Sequence, residues 1–432
     1  MNYLEKVEIK GFWGNRDISI SFNPDVNFLI GVNGSGKTTV INLIAAALNA
    51  DFPTLDRLPF NSMQLQLREV NGNSTPSIEV EKKPQERSPY PSISFSIKSK
   101  ETDKAVNYSL DQIEEGRIYR TASHEYYHSY PARHSQRLGK IHYDIIEHLS
   151  GLVNISWLSI HRTTASYRSK EERSFESTID QKLSELSNEF IKYFSLLDKQ
   201  SAIEIDRFQQ TIFLSLLSDE SESEVFSILK SLDPDNEKQE LIKIFKLFRL
   251  DENEYLKSVE RHFDSYSKLF QKLSNSSGFR LEDLSVLIGT RRIHSIVQDW
   301  SKLTEKQKDI YKPRNTFLNV VNSLMQRKEI KINEKNELEV KTQSKKIFPL
   351  KFLSSGEKQL LIILGEALLQ QSAPWIYIAD EPELSLHVTW QESLVRNLRN
   401  VNPKAQIIFA THSPDIVSNF HDRVFDMEKV VS

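Results

Sequence analysis

Several features are missing from this chain of 432 residues, and each absence excludes a class of protein. The chain has no cysteine, which excludes disulfide bonds, thiolate nucleophiles and zinc sites built on cysteine. Its longest apolar runs, at 360–364 and 375–379, are far too short to span a bilayer, and no apolar segment near Met1 indicates a signal peptide. We therefore expect a soluble, cytoplasmic protein with no membrane partner.

A strong charge of either sign is missing as well. The 56 Lys and Arg against 59 Asp and Glu leave a formal net charge of −3. A nearly neutral molecule does not steer nucleic acid uniformly to its surface, although a local basic stripe could still bind it. Hydrophobic residues make up 38% of the chain, enough for a true core, and the length suits two or three domains.

Apolar patterning divides the chain into three parts. The first 110 residues predict short strands and an antiparallel meander around one helix at Thr38–Asn49. The last third predicts a hairpin at 329–341, then helices alternating with buried strands at 375–379 and 406–410, which favours a parallel sheet covered on both faces.

Between these parts lie two heptad-like apolar seams, at 179–197 and 256–273. Each could form a short antiparallel coiled coil or pack in an ordinary helical bundle. The predicted domains are 1–164, a helical insertion at 165–325, and 326–432.

The segment Gly31–Thr39 reads G-V-N-G-S-G-K-T-T and fits the phosphate loop G-x-x-x-x-G-K-[ST] between a strand and a helix. Glycines let successive backbone N–H groups point at phosphate oxygens, a lysine supplies charge for the β- and γ-phosphates, and a threonine hydroxyl suits Mg²⁺. The predicted ATP-binding residues here are Gly31, Asn33, Gly34, Ser35, Gly36, Lys37, Thr38 and Thr39.

A second motif is the apolar strand at 375–379, which ends in Asp380 and Glu381. Together with a phosphate loop, this pattern indicates Asp380 as a Mg²⁺ ligand beside Thr38, and Glu381 as the residue that polarises the attacking water.

Two further motifs have both structural and functional interpretations. Ser354 and Glu357 fit a helix-capping box, and the same helix N-terminus could bind a phosphate through Ser354, Ser355, Gly356 and Glu357. His412, in T-H-S after a buried strand, is either a structural hydrogen-bonding residue or a sensor of the nucleotide.

The order phosphate loop, L-S-S-G-E, D-E strand and T-H-S resembles ABC-type ATPases, specifically the SMC/RecF/OLD-like branch, over roughly 1–110 and 345–430. The fold implied is an α/β, ABC-type P-loop ATPase head with an antiparallel β lobe and a helical insertion. Transport-type members resemble the chain less, because more than 300 residues separate Lys37 from Ser354. The form E-P-E-x-x-L-H after Glu381 is similar to the OLD-type branch, and no glutamine of the Q-loop can be placed near Trp157–Arg162.

The resemblance implies a head-to-tail dimer, or a higher even-numbered oligomer, with shared ATP sites. Ser354, Ser355 and Gly356 would contact the nucleotide bound by Lys37 of a second copy. Lys37, Glu381 and His412, the switch histidine, would be the catalytic residues of an ATPase that converts ATP and water to ADP and phosphate.

Only 18 residues follow Pro414, too few for the Toprim nuclease domain of OLD-type proteins. The chain is thus similar to ATPase subunits of anti-phage systems such as PARIS (AriA) and Septu (PtuA). This resemblance implies a sensor or scaffold for a separate effector such as a nuclease. The alternatives are a DNA repair or chromosome-maintenance clamp that binds DNA directly, and the motor subunit of a transporter.

One competing motif is His124-Glu-Tyr-Tyr-His128, which matches the zinc pattern H-E-x-x-H. Pro131 follows closely and no apolar period supports a buried helix there. A solvated polar loop is the favoured interpretation of 117–143, over a metalloprotease site or a surface for a partner or nucleic acid.

Overall fold

The computed structural model describes residues 1–85, 88–109, 132–158, 178–215, 233–274 and 280–431. The strands are β1 (Asn2–Phe12), β2 (Arg16–Ser21), β3 (Val26–Ile30), β4 (Ser62–Glu69), β5 (Ser77–Gln85), β6 (Ser88–Lys98), β7 (Val106–Ser109), β8 (Ile155–Leu158), β9 (Lys328–Ile332), β10 (Leu338–Thr342), β11 (Ile347–Pro349), β12 (Ile376–Asp380), β13 (Gln406–Ala410) and β14 (Val424–Asp426).

The described helices include two much longer than the rest, at Thr178–Ser215 and Leu281–Leu324. The remaining α-helices are Lys37–Leu48, Phe52–Arg57, Ala132–Leu152, Pro234–Leu247, Glu252–Ser274, Ser355–Leu369, Val388–Val401, Pro414–Val417 and Met427–Val430. Single 3-10 turns lie at Leu350–Phe352 and His421–Arg423.

The N-terminal lobe is an antiparallel sheet of six strands in the order β2-β1-β4-β5-β6-β7. Its strands form because apolar and polar residues alternate, so that Val7, Ile9 and Leu65 are fully buried while their neighbours face outward. The predicted antiparallel lobe is confirmed, and the hairpin β9–β10 pairs Leu338 with Ile332.

The parallel sheet has five strands in the order β14-β3-β13-β12-β8. Positions in β12 and β13 are buried almost without interruption, as expected for strands covered on both faces. The ends of β3, β13 and β12 are adjacent, so that Gly31 and Thr411, which follow β3 and β13, lie at the same edge of the sheet as Asp380, the last residue of β12. The predicted α/β class, with an antiparallel lobe, a parallel sheet and long helices, is confirmed.

The chain divides into two compact units, one made of Met1–Lys192 and Pro313–Ser432, the other of Tyr193–Lys312. The division falls inside the two long helices. The domain boundaries predicted at 164 and 325 stay predictions.

In the second unit, four helices contribute to one core. Phe208, Ile244, Val259 and Trp300 come from four different helices and are all buried. The seam at 256–273 therefore packs in a bundle rather than as an isolated two-stranded coiled coil.

The loop interpretation of 117–143 is wrong from residue 132 onward, where a helix of 21 residues runs to Leu152. Ile145, Leu149 and Leu152 are buried at helical spacing and hold this helix on the N-terminal core. The His- and Tyr-rich composition before them obscured this short apolar period. His124 and His128 lie outside the described residues.

Candidate nucleotide site

The phosphate loop leaves β3 and enters the helix Lys37–Leu48 through glycines in the left-handed region. Gly34 has φ +86° and Gly36 has φ +94°. A Cβ on Gly36 would lie 2.8 Å from the Cζ atom of buried Phe12, whereas one on Gly34 would meet nothing within 4 Å. Gly36 is also the N-cap residue of this helix, and it has no side chain that could accept from the first N–H groups, which would cradle a phosphate.

Lys37 is 5% exposed and its ammonium folds back onto the loop. The Nζ atom donates to the carbonyls of Gly31 at 2.8 Å and Val32 at 3.2 Å. Burial lowers the pKa of Lys37, against the charges of Glu381 and Asp380, which raise it. A buried ammonium held over the loop is in position to exchange these carbonyls for phosphate oxygens.

The remaining loop residues differ in exposure. Asn33 and Gly34 are exposed, and Thr39 lies half-buried in the first helical turn. Ser35 donates its N–H to the Val32 carbonyl, while its hydroxyl is buried and has no hydrogen-bond partner among the described residues.

The phosphate loop and the two-acid strand are in direct contact. The Thr38 hydroxyl donates to Asp380 Oδ1 at 3.0 Å, joining residues 342 positions apart in the sequence. A hydroxyl and a carboxylate oxygen are ligands that Mg²⁺ accepts, and Mg²⁺ needs few protein ligands because it keeps waters and binds phosphates. The two residues predicted to hold the ion therefore lie together.

Glu381 and His412 lie at the same edge of the sheet. His412 Nε2 is 3.9 Å from Glu381 Oε1, and both side chains are about one-third exposed. Glu381 has φ +47° and its N–H donates to the Ala410 carbonyl at 2.8 Å, so the turn after β12 is tied to the end of β13. Four predicted site groups thus converge: the loop, Asp380, Glu381 and His412.

A model of the AAA ATPase domain matches residues 3–417. The chain belongs to the AAA ATPase domain family. The resemblance to SMC/RecF/OLD-like ATPases and to the ATPase subunits of anti-phage systems is confirmed by this match and by the relatives below.

Three curated relatives align with parts of this chain. The Septu protein PtuA of Bacillus thuringiensis is 25% identical over 130 residues, which are 27% of this chain and 32% of PtuA. The probable ATPase of retron Vc95 from Vibrio cholerae is 29% identical over 150 residues, 31% of this chain and 27% of that protein. The DNA replication and repair protein RecF of Ligilactobacillus salivarius is 48% identical over 42 residues, 10% of this chain and 11% of RecF. The chain therefore spans between about a tenth and a third of the curated relatives it matches.

Among solved structures, the Smc head domain with an extended coiled coil bound to the C-terminal domain of ScpA, from Pyrococcus furiosus, aligns over 97% of this chain and 92% of that chain. The TM-score is 0.42 and the identity 15%. The SmcHead bound to the C-winged helix domain of ScpA aligns over 96% and 91%, with TM-score 0.43 and 13% identity.

The L-S-S-G-E segment of the chain leads into the helix Ser355–Leu369, which we call the signature helix. Ser354 caps it: its N–H and hydroxyl both donate to Glu357 Oε2 at 2.8 Å, and Glu357 donates its N–H back to the Ser354 hydroxyl. Lys328 Nζ donates to both oxygens of the same carboxylate. The capping interpretation holds structurally, and the hydrogen bonds of Ser354 and Glu357 do not reach the chain's own phosphate loop.

Ser354 and Ser355 are exposed, whereas Gly356 and Glu357 are buried. Two serines at a helix N-terminus are thus exposed, although the Ser354 hydroxyl is engaged in the capping box, while the Glu357 carboxylate is turned inward to Lys328. The functional assignment of these four residues stays a prediction.

One residue that sequence reasoning missed is Glu383. It is 7% exposed, and its Oε1 atom accepts hydrogen bonds from the turn that carries His412. The sequence signal for it was the second glutamate of E-P-E, which cannot be told from an exposed glutamate by its neighbours alone.

Within the described ranges, no group of three or more His, Asp and Glu residues is arranged to hold a metal ion. No helix in this part of the chain is both long and apolar enough to cross a membrane. Trp157 lies in β8, next to β12, and the residues after Leu158 where a Q-loop was sought lie outside the described ranges.

Proposed function

We propose that this chain binds ATP with Mg²⁺, closes head to tail on a second copy of itself, and hydrolyses the nucleotide. The single observation that supports this most is the 3.0 Å hydrogen bond from Thr38 to Asp380. It joins the two motifs that a phosphate-binding hydrolase needs, one for the phosphates and one for the metal and water.

Each group has a distinct task in this proposal. The loop N–H groups and the Lys37 ammonium bind the β- and γ-phosphates, while Thr38 and Asp380 hold Mg²⁺. Held there, Mg²⁺ would supply positive charge that offsets the charge on the phosphate oxygens. Water then attacks the γ-phosphorus, a new P–O bond forms, and the bond to the β–γ bridging oxygen breaks to give ADP and phosphate.

Glu381 takes the proton from the attacking water in this scheme, and His412 donates to the γ-phosphate. Their 3.9 Å separation allows both to face one phosphate group. Proton transfer of this kind contributes about 10²–10⁴-fold to rate, so Glu381 is the residue whose loss should separate binding from hydrolysis.

The second copy completes the site through Ser354, Ser355 and Gly356. The support is geometric: the exposed hydroxyls begin a helix that directs partial positive charge outward, yet their hydrogen bonds do not reach the chain's own loop. The nucleotide bound by a second copy would lie against these serines in the proposed dimer. ATP bound between the two subunits then holds them together, and its hydrolysis lets them separate.

We propose further that the assembly senses infection, or serves as a scaffold, for a separate effector, a nuclease in the simplest case. The matches to the Septu protein PtuA and to the retron Vc95 probable ATPase support an anti-phage role. Co-expression with the product of an adjacent gene tests this: an ATP-dependent complex with a nuclease supports the role, and an isolated ATPase without phage protection contradicts it.

A second candidate is a clamp that binds DNA directly during repair or chromosome maintenance. The local 48% identity to the DNA replication and repair protein RecF favours it. ATP-dependent binding of duplex DNA that weakens steeply with salt would support this function over the first.

The experiment that tests ATP hydrolysis compares Lys37→Ala and Glu381→Gln with the matched surface controls Lys404→Ala and Glu392→Gln. Lys37→Ala should lose ATP binding because the phosphates lose their buried cation. Glu381→Gln should bind ATP with unchanged affinity and lose hydrolysis by about 10²-fold or more. Hydrolysis at the parental rate in Glu381→Gln would contradict its assignment as general base.

A further inference from the structure

Glu383 is an unusual carboxylate, because it is almost fully buried in a turn next to the proposed hydrolysis site. It belongs to the acidic turn (residues 381–387), which joins β12 to the helix Val388–Val401. Its side chain is 7% exposed, whereas that of Glu381 is 34% exposed. Burying a carboxylate is costly unless donors surround it, so the hydrogen bonds of Glu383 need an explanation.

Those donors all come from one short segment, the histidine turn (residues 411–413). Glu383 Oε1 accepts from the Thr411 hydroxyl at 2.5 Å, from the His412 N–H at 3.0 Å and from the Ser413 N–H at 3.2 Å. Hydrogen bonds from N–H groups to a charged carboxylate are stronger than neutral ones and fix the direction of the donors. The backbone that carries His412 is therefore oriented by a residue 29 positions earlier.

A second bridge runs beside the first. The Ser413 hydroxyl donates to Gln391 Oε1 at 2.7 Å, and Gln391 Nε2 donates to the Leu386 carbonyl at 2.9 Å. The acidic turn and the histidine turn are thus joined twice, once through a carboxylate and once through an amide. Between these bridges the His412 imidazole faces Glu381.

The acidic turn is also fixed from its other side by the signature helix. Gln359 is fully buried and its Nε2 atom donates to the Pro382 carbonyl at 2.8 Å. Ser385 has φ +72°, and its carbonyl oxygen lies so close to Gly356 that a Cβ there would be 2.4 Å away. Glu383 thus projects from a turn that cannot shift freely.

We propose that Glu383 is a positioning residue for ATP hydrolysis: it holds the histidine turn so that His412 faces Glu381. This inference rests on the proposed function for its effect on rate. The Oε1 atom of Glu383 accepts three hydrogen bonds, and its Oε2 atom is buried with no hydrogen-bond partner among the described residues. Because the residue is only 7% exposed, we assign it to holding the turn and not to activating water. Substituting Glu383 would displace the His412 side chain without removing a group that reacts.

The test uses Glu383→Ala, Glu383→Gln, Thr411→Val and the double variant Glu383→Ala/Thr411→Val. Glu392→Ala, an exposed carboxylate on the adjacent helix, is the matched control. Three quantities are measured: the hydrogen exchange of the amides in the peptide that contains 411–413, the Kd for ATP, and kcat. Exchange reports on the turn whether or not the chain hydrolyses ATP, so a failure of the proposed function and a failure of this inference are told apart.

Glu383→Ala should increase exchange in the histidine turn and lower kcat by about tenfold or more, since a misplacement of about 1 Å can cost on the order of a hundredfold. The Kd for ATP should stay within about twofold, because the phosphate loop is unchanged. Glu383→Gln keeps an acceptor oxygen and should retain kcat within about threefold. The double variant should lose little more than Glu383→Ala alone, because both substitutions remove the same contact.

Unchanged exchange and unchanged kcat in Glu383→Ala would overturn the inference. Equal loss of kcat in Glu383→Ala and Glu383→Gln, with the histidine turn protected as in the parent, would overturn it too, since the charge itself would then be needed. If the parent protein hydrolyses no ATP, the proposed function fails, and exchange in Glu383→Ala still decides whether Glu383 holds the turn.

Discussion

At the scale of single residues, the phosphate loop depends on glycines whose backbone other residues rarely adopt. Gly36 combines φ +94° with the ring of Phe12 at 2.8 Å from the position of a Cβ. Phe12 is 1% exposed, so its ring lies in the core and cannot turn out into solvent without losing that burial. The start of the helix that carries Lys37 is consequently fixed by two constraints at one position.

We expect Gly36→Ala to destabilise the protein and to weaken ATP binding. Gly14→Ala is the matched control, since Gly14 has φ +99° and nothing within 4 Å of a Cβ. Both substitutions should cost about 1–2 kcal/mol of backbone strain. Gly36→Ala should cost about 1–3 kcal/mol more from overpacking against Phe12. Urea unfolding and nucleotide titration check this, and equal losses in the two variants would contradict it.

The residues that we propose to bind phosphate could be located from the sequence, because their spacing is itself the chemical requirement. Gly31–Thr39 and Asp380–Glu381 each form a local pattern whose flanking elements can be seen. Glu383 could not be predicted, since its role depends on donors 28 to 30 positions away that only the parallel pairing of β12 and β13 brings near. No local pattern distinguishes such a buried carboxylate from an exposed one.

At the scale of elements, the signature helix is tied to β9 through one carboxylate. Burial alone would raise the pKa of Glu357, but hydrogen bonds from Lys328 and Ser354 outweigh it and hold that pKa below its ordinary value. A carboxyl with a lowered folded-state pKa stabilises the fold above its unfolded pKa of about 4.3, and this contribution is lost as pH falls through the folded value.

We expect Lys328→Met to move the acid loss of stability to higher pH, because Glu357 then lacks its cation. Lys331→Met on the same strand is the control, since Lys331 pairs with Glu329 at the surface. Unfolding by urea at a series of pH values between about 3 and 6 measures the shift. If the free energy of unfolding falls with decreasing pH in the same way in both variants, the Lys328 contact does not set the pKa of Glu357.

The contact between the signature helix and the acidic turn gives a separate prediction. Gly356→Ala places a Cβ 2.4 Å from the Ser385 carbonyl oxygen, so the turn must move. We expect kcat to fall while the affinity of the phosphate loop for ATP stays nearly constant. Stopped-flow binding measures the affinity for ATP, and steady-state hydrolysis measures kcat. An unchanged kcat would show that the turn accommodates the methyl group.

Elements with a long apolar period could be predicted, whereas those defined by a few contacts could not. The seam at 256–273 indicated a helix correctly, but the seam alone could not decide between a coiled coil and a bundle. The helix Ala132–Leu152 was missed because the first half of its sequence is mostly polar, so the apolar period is short. In both cases the deciding information is the identity of the packing partner.

At the scale of the whole molecule, the order of the parallel sheet explains how distant segments meet. The strand order β3-β13-β12 brings the phosphate loop, the histidine turn and the two acids to adjacent strand ends. Ligand sites in parallel α/β sheets lie at this carboxyl edge. In the proposed dimer, the exposed start of the signature helix would complete the nucleotide site of the second copy.

The central claim is that ATP joins two copies of this chain, and the native mass of Glu381→Gln with and without Mg-ATP tests it most directly. We predict an even-numbered assembly that forms or tightens with Mg-ATP and is lost when Ser354→Ala is added, because in the proposed dimer that hydroxyl contacts the nucleotide of the partner. A monomer under both conditions, with ATP bound, would contradict the shared site and leave Ser354 as a helix cap alone.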